Sequence, residues 1–262
     1  MLNFCSLYSG SSGNSLFIQT ESTRILVDCG VSCKKVEEGL KSIEVDPSSI
    51  DAVLVTHEHS DHVKGLGTFS KKFNVPIYAN QETLDNMQTQ VLKISSSNIN
   101  TFKVADKFEV GDLSVFPFSI SHDAANPCGF NIFKDNKKTS IATDIGTMDS
   151  KTIKNLEDSI FILLESNYDP DILRCSPYPY LLKRRIAGPT GHLPNNKAGE
   201  TISYLMNSGL KTAMLGHLIK ENNFPELAYK TVAEELVNSN KDVSKISLSV
   251  ASRDIPGKLL TI

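Results

Sequence analysis

Long apolar runs are missing from this chain. The longest unbroken aliphatic or aromatic stretch covers residues 160–164, against the roughly 20 residues that a membrane-crossing helix needs. The opening segment, Met1 to Tyr8, has no basic residue ahead of its apolar stretch and does not read as a secretory signal. Neither sign of charge dominates. With 27 Lys and Arg against 30 Asp and Glu, the formal net charge is −3, which argues against coating nucleic acid by bulk electrostatics but leaves room for a local basic strip. Five cysteines, Cys5, Cys29, Cys33, Cys128 and Cys175, are odd in number and scattered, and they read as reduced thiols in a cytoplasmic protein. Cys29 and Cys33 have a zinc-like spacing, but no second pair completes a tetrahedral site. No linker or low-complexity tract divides the sequence, so a single domain over residues 1–262 is expected.

What is present is ordinary core material: 40% hydrophobic and 22% charged residues, enough for a sizeable core. β-Branched runs at 3–8, 15–20, 24–28, 52–55, 113–119, 130–133, 140–142, 160–164, 212–215 and 247–251 predict strands. Amphipathic spacing predicts a helix from Asn195, its expected N-cap, to Gly209. A second follows Pro225, with Leu227, Ala228, Val232 and Leu236 on its apolar side. Weaker patterns mark helices at 32–41 and 149–155.

The chemistry concentrates in Thr56-His57-Glu58-His59-Ser60-Asp61-His62, directly after the buried-type strand Ala52-Val53-Leu54-Val55. Side chains two apart in an extended segment project to the same side, so His57 and His59 can grip one ion. Asp61 and His62, where the chain turns into a helix, face elsewhere and can grip a second. A solvated polar turn is the bland alternative, but this stretch holds three of the chain's six histidines. Further ligand types stand at the ends of predicted strands: His122, Asp144, whose carboxylate can bridge two cations, and His217.

Together with Val27-Asp28, these residues occur in the order of the five motifs of metallo-β-lactamase-fold hydrolases, and the sequence most resembles their WalJ/YycJ-like subfamily, a relative of RNase Z. Supporting stretches are Ser9-Gly10-Ser11-Ser12-Gly13-Asn14-Ser15, Glu165-Ser166-Asn167, Gly191-His192-Leu193, and Gly216-His217-Leu218 followed by Glu221-Asn222-Asn223. The resemblance implies an α/β (α+β) fold, a four-layer αββα sandwich. It implies one divalent ion held by His57, His59 and His122, a second held by Asp61, His62 and His217, and Asp144 between them. Zinc is the expected metal, with manganese or iron as alternatives. Asp28 and Glu165 would orient ligands from behind, although Asp28 also suits a turn with Gly30. Asp61 would act as a base, and His192 would act on the leaving oxygen. Lys183, Arg184 and Arg185 could hold phosphates or simply form a solvated helix face. Ser11, Asn14 and Asn222 are further candidate substrate contacts.

The implied reaction is hydrolysis of a phosphodiester in nucleic acid by a metal-activated water, with DNA preferred over RNA and 5′-to-3′ exonuclease action. Hydrolysis of a small phosphodiester or (thio)ester is the alternative within the same chemistry. A non-catalytic, metal-stabilised binding protein is the alternative outside it. Only 47 residues separate Asp144 from His192, too few for the extra domain of the larger RNA nucleases of this fold. Three positions depart from the subfamily pattern: Tyr168 where His is common, and Pro194 and Ile219 where Ser usually follows His-Leu.

Overall fold

The computed structural model describes residues 1–262, the side chain of Gln88 excepted. The chain forms two compact units. One comprises Met1–Pro117, Ala124–Cys128 and Ser252–Ile262; the other comprises Phe118–Asp123 and Gly129–Ala251.

In the first unit, β1 (Asn3–Tyr8), β2 (Ser15–Gln19) and β3 (Arg24–Val27) form an antiparallel meander. Next come α1 (Cys33–Ser42), β4 (Ala52–Leu54), α2 (Ser60–Val63), α3 (Leu66–Phe73), β5 (Ile77–Ala79), α4 (Gln81–Asn86), α5 (Gln88–Val91) and β6 (Ile99–Thr101). From β3 onward the pairing is parallel, β3 to β4 to β5 to β6. The change follows from the connections. A polar turn returns a strand antiparallel, whereas crossovers containing helices return it parallel. α1 shows why such a crossover folds: Ser32 caps it by accepting the Lys35 N–H, and Val36 and Leu40, one turn apart, are buried. They join Leu7, Phe17, Leu26, Val53, Leu66, Phe69 and Ile77 in one core. β7 (Phe108–Val110) pairs antiparallel with β8 (Leu113–Ser119).

The second unit begins its sheet with an antiparallel hairpin, β9 (Cys128–Lys134) and β10 (Lys137–Ala142), turned at Asp135, whose φ of 53° suits a tight hairpin. β11 (Phe161–Glu165), β12 (Thr212–Gly216) and β13 (Ser247–Val250) then add in parallel. Every residue of β11 is buried, which explains why residues 161–164 are a continuous apolar run rather than an alternating one. The helices are α6 (Ser150–Leu156), α7 (Pro170–Cys175), α8 (Tyr180–Ile186), α9 (Asn195–Leu205) and α10 (Pro225–Asn238). α10 buries Ala228, Val232 and Leu236 and packs on α9. β14 (Leu260–Thr261) belongs to the first unit, antiparallel to β1.

One sequence expectation needs correction. Asn195 is not the N-cap of α9; Pro194 holds that position and Asn195 is the first helical residue. The Asn195 amide is drawn inward instead, accepting the Ser166 hydroxyl at 2.6 Å and donating to Asn223 Oδ1 at 3.1 Å. Strands β5, β6, β7 and β14 and helices α3, α4, α5 and α7 were not expected. The strands are three residues or fewer, too short to display a period. Among the described residues no helix is long and apolar enough to cross a membrane.

Candidate metal centre

In both units the chemistry stands at the carboxyl ends of parallel strands, where α/β sheets present their ligands. In the first unit the chain leaves β4 through Thr56 and enters α2 at Ser60. His57 and His62 are fully buried. The His57 ring centroid lies 4.7 Å from that of His59 and 4.1 Å from that of His62. Asp61 Oδ2 lies 3.6 Å from His62 Nε2. The loop backbone is pinned from behind: Asn14 N–H donates to the Asp61 carbonyl at 2.8 Å and Cys29 N–H to the His62 carbonyl at 2.9 Å. Gly30 is required at this contact, because a Cβ there would fall 1.6 Å from the Asp61 carbonyl oxygen.

Asp28, just past β3, organises this loop. Its Oδ1 accepts the Thr56 N–H at 2.9 Å, and its Oδ2 accepts the Thr56 hydroxyl and His62 Nδ1, each at 2.8 Å. Thr56 also approaches His57 Nδ1 at 3.0 Å. The role of Thr56 was missed in the sequence, where the only signal was a β-branched hydroxyl residue directly before the histidines.

The second unit builds its group around Glu165, fully buried at the end of β11. Oε1 accepts from His192 Nδ1 at 2.9 Å and from His217 Nδ1 at 2.8 Å. Oε2 accepts the backbone N–H groups of Ile145 at 2.7 Å and Leu193 at 3.0 Å. Asp144, after β10, places Oδ1 3.6 Å from His122 Nε2, 3.6 Å from His192 Nδ1 and 3.4 Å from His217 Nδ1. His122 in turn meets the Gly191 carbonyl through Nδ1 at 3.1 Å. Asp144, Glu165, His192 and His217 each bring a ligand-type atom within 4.8 Å of the others. Burial opposes ionisation of Glu165, but the charge of His192 and the hydrogen bonds from His192 and His217 hold its carboxyl below the usual range. Burial likewise opposes the His192 imidazolium, yet Glu165 and Asp144 raise its pKa above the ordinary value.

Three of these positions have left-handed backbone: Asp28 at φ 63°, Asp144 at 60° and His217 at 58°. Such conformations are costly for residues with side chains and persist only where surrounding bonds over-determine them. The Asn167 amide supplies one of those bonds, donating to the His217 carbonyl at 2.6 Å.

The donor set fits divalent cations. Carboxylate and carbonyl oxygens only accept hydrogen bonds, so the contacts to Asp28, Gly191 and Glu165 place the proton of His62, His122 and His217 on Nδ1. The neutral ring then carries its lone pair on Nε2, the form that ligates a metal with the other nitrogen tied to an oxygen.

A family model for the β-lactamase superfamily domain matches residues 23–218. The chain belongs to this superfamily. Within it, the chain is 37% identical over 239 residues to exodeoxyribonuclease WalJ of Streptococcus pneumoniae, covering 90% of this chain and 89% of the other. It is 36% identical over 235 residues to exodeoxyribonuclease YycJ of Bacillus anthracis, again covering 90% and 89%. These matches place it in the WalJ/YycJ branch, as its motifs implied. Zinc-bound PqqB from Methylobacterium extorquens shares the fold, with a TM-score of 0.71 at 16% identity over 99% of this chain and 100% of that one. The expected metallo-β-lactamase fold class, mixed β-sheets with helices, is the one found.

The expected substrate contacts differ in exposure. Ser11 is exposed at its loop tip. Asn14 is buried, its Oδ1 accepting the Gly10 N–H at 2.9 Å and its Nδ2 lying 3.1 Å from His62 Nε2. Asn222 is also buried. On α8, Lys183 Nζ donates to the Arg174 carbonyl at 2.7 Å, and Arg185 forks onto the Asp123 carboxylate at 2.6 and 3.2 Å. Tyr168 and Pro194 form a β-bridge, and Ile219 packs on the cluster containing Tyr168. The three departures from the subfamily pattern are therefore one structural feature.

Proposed function

We propose that this chain is a binuclear metal-dependent nuclease that degrades DNA from 5′ ends. The observation that carries this reading is the likeness, along nine-tenths of the chain, to WalJ, a chain named exodeoxyribonuclease. In our reading the whole chain is one hydrolase domain. His57, His59 and His122 hold one divalent ion, Asp61, His62 and His217 hold a second, and Asp144 bridges them. Zinc is the metal proposed, and manganese or iron would suit the same mixed donors. When bound, two such ions supply a water of lowered pKa and neutralise phosphate charge.

The chain's own residues do the rest. Asp61 accepts a proton from the attacking water. His192 carries a proton that Glu165 and Asp144 help it keep, and hands it to the departing sugar oxygen. Glu165 fixes the His192 ring through Nδ1, which leaves Nε2 as the donating atom. Ser11, Asn14 and Asn222 contact the substrate, and the basic residues Lys183, Arg184 and Arg185 receive its phosphates. We place the protein in the cytoplasm.

The test is degradation of 5′-labelled single- and double-stranded DNA and RNA with zinc or manganese, alongside bis-p-nitrophenyl phosphate, with Asp144→Ala as the blank. Metal-dependent shortening of DNA that disappears in the blank supports the reading. Turnover of the small diester alone replaces it with a small-molecule phosphodiesterase. Two bound metals and no turnover of any substrate replace it with a binding protein.

A further inference from the structure

The seven-residue helix α8 presents two faces of different character. Leu182 and Ile186, four apart and so on one side, pack with Tyr168, Leu173, Tyr178 and Ile219. That stripe accounts for the apolar content a short amphipathic helix needs. It leaves Tyr180 and Leu181 unexplained, because they are 72% and 76% exposed. One turn on from them stand Arg184 and Arg185, both exposed. The Arg184 guanidinium lies over the Tyr180 ring, 5.9 Å from its centroid. The outward face is thus an aromatic and an aliphatic side chain beside two guanidinium groups, with Lys183 next to them, on a chain whose formal net charge is −3. Two acidic groups near this helix carry basic partners: Asp123 is paired with Arg185, and Asp171 with Arg174 at 2.9 Å.

We propose that this face of α8 is a docking surface for a single-stranded stretch of nucleic acid, with a base stacked on Tyr180 and flanking phosphates held by Arg184 and Arg185. The proposal rests on the nuclease reading and adds the strandedness of what is gripped. Charge complementarity selects a polyanion. A flat, exposed ring selects one whose bases are unpaired, since a duplex buries its base faces and offers an outlying ring nothing to stack on. The same arrangement couples grip to chemistry. Arg185 is tied to Asp123, the residue directly after His122, so a strand lying along α8 is anchored beside that ligand. Leu181 widens the apolar platform beneath the same base or its neighbour.

The test is fluorescence anisotropy with a fluorescein-labelled, phosphorothioate-linked oligothymidylate and, separately, a phosphorothioate duplex, both on the metal-loaded protein. Wild type should bind the single strand more tightly than the duplex. Tyr180→Ala should weaken single-strand binding roughly tenfold, Arg184→Ala should weaken it and flatten its salt dependence, and Tyr180→Phe, which keeps the ring, should bind as wild type does. The thermal midpoint of each variant shows that it is folded. Equal binding by Tyr180→Ala and wild type, or tighter binding of the duplex by wild type, overturns the proposal. Shortening of unmodified DNA by wild type is read independently, so a chain that degrades DNA but ignores Tyr180 refutes the docking surface and leaves the nuclease standing.

Discussion

The two units assemble their ligand groups by opposite routes. In the first, four ligand-type residues fall within six positions between β4 and α2, and one carboxylate, Asp28, steadies them through Thr56 and His62. In the second, His122, Asp144, His192 and His217 come from four separate places in the chain. There a single buried carboxylate, Glu165, accepts from two rings and two backbone amides. A contiguous cluster needs little more than a turn to bring its members together. A dispersed one needs the sheet to be complete, and its organising residue then carries more of the fold.

Substitutions can break this comparison in order of size. Asp144→Ala removes the carboxylate shared by the second unit's histidines and should abolish turnover and metal content together, read by elemental analysis and DNA degradation. His192→Ala should keep the metals and slow turnover about 10²–10⁴-fold; full activity on every substrate would remove His192 from the reaction. Glu165→Gln and Asp28→Asn should each weaken metal binding about 10–100-fold in competition with a chelator. Glu165→Gln should also lower the thermal midpoint more, since its carboxylate serves four donors against three. A larger drop for Asp28→Asn would reverse the comparison.

The smallest effect sits at the surface. Asp149 caps α6 by accepting the Thr152 N–H at 2.7 Å, and this bond holds its pKa below the ordinary carboxylate value. Asp149→Ala should cost about 1 kcal/mol at neutral pH. Because the folded pKa is the lower one, the contribution is complete above the unfolded value of about 4 and disappears as pH falls through the folded value. Urea titrations of both proteins at neutral and strongly acid pH should converge at the acid end.

The same contrast explains what was legible in the sequence. The His57 to His62 cluster announces itself because its spacing is local. His122, Asp144 and His217 each resemble an ordinary residue past a strand and gain meaning only as an ordered set. The Gly191 carbonyl that orients His122 is a backbone atom, which no residue type encodes. Gly30 reads as a turn residue, and its closeness to the Asp61 carbonyl exists only after folding. Asn195 looked like a cap because its local pattern was right, and the inward pull of Ser166 and Asn223 overrode it. Helix α9 itself, with its longer apolar period, was visible.

The left-handed backbone at Asp28, Asp144 and His217 has a consequence for which amino acids those sites accept. The conformation by itself admits Gly and, among residues with side chains, favours Asn, Asp and His. A ligand or an anionic support requires a carboxylate, imidazole or thiolate. Only Asp and His satisfy both lists, and these are the residues found at all three positions. Glu165, in an extended strand, meets no such filter and is free to be the longer acid. Backbone shape and site chemistry have between them narrowed the usable alphabet at three places to two letters.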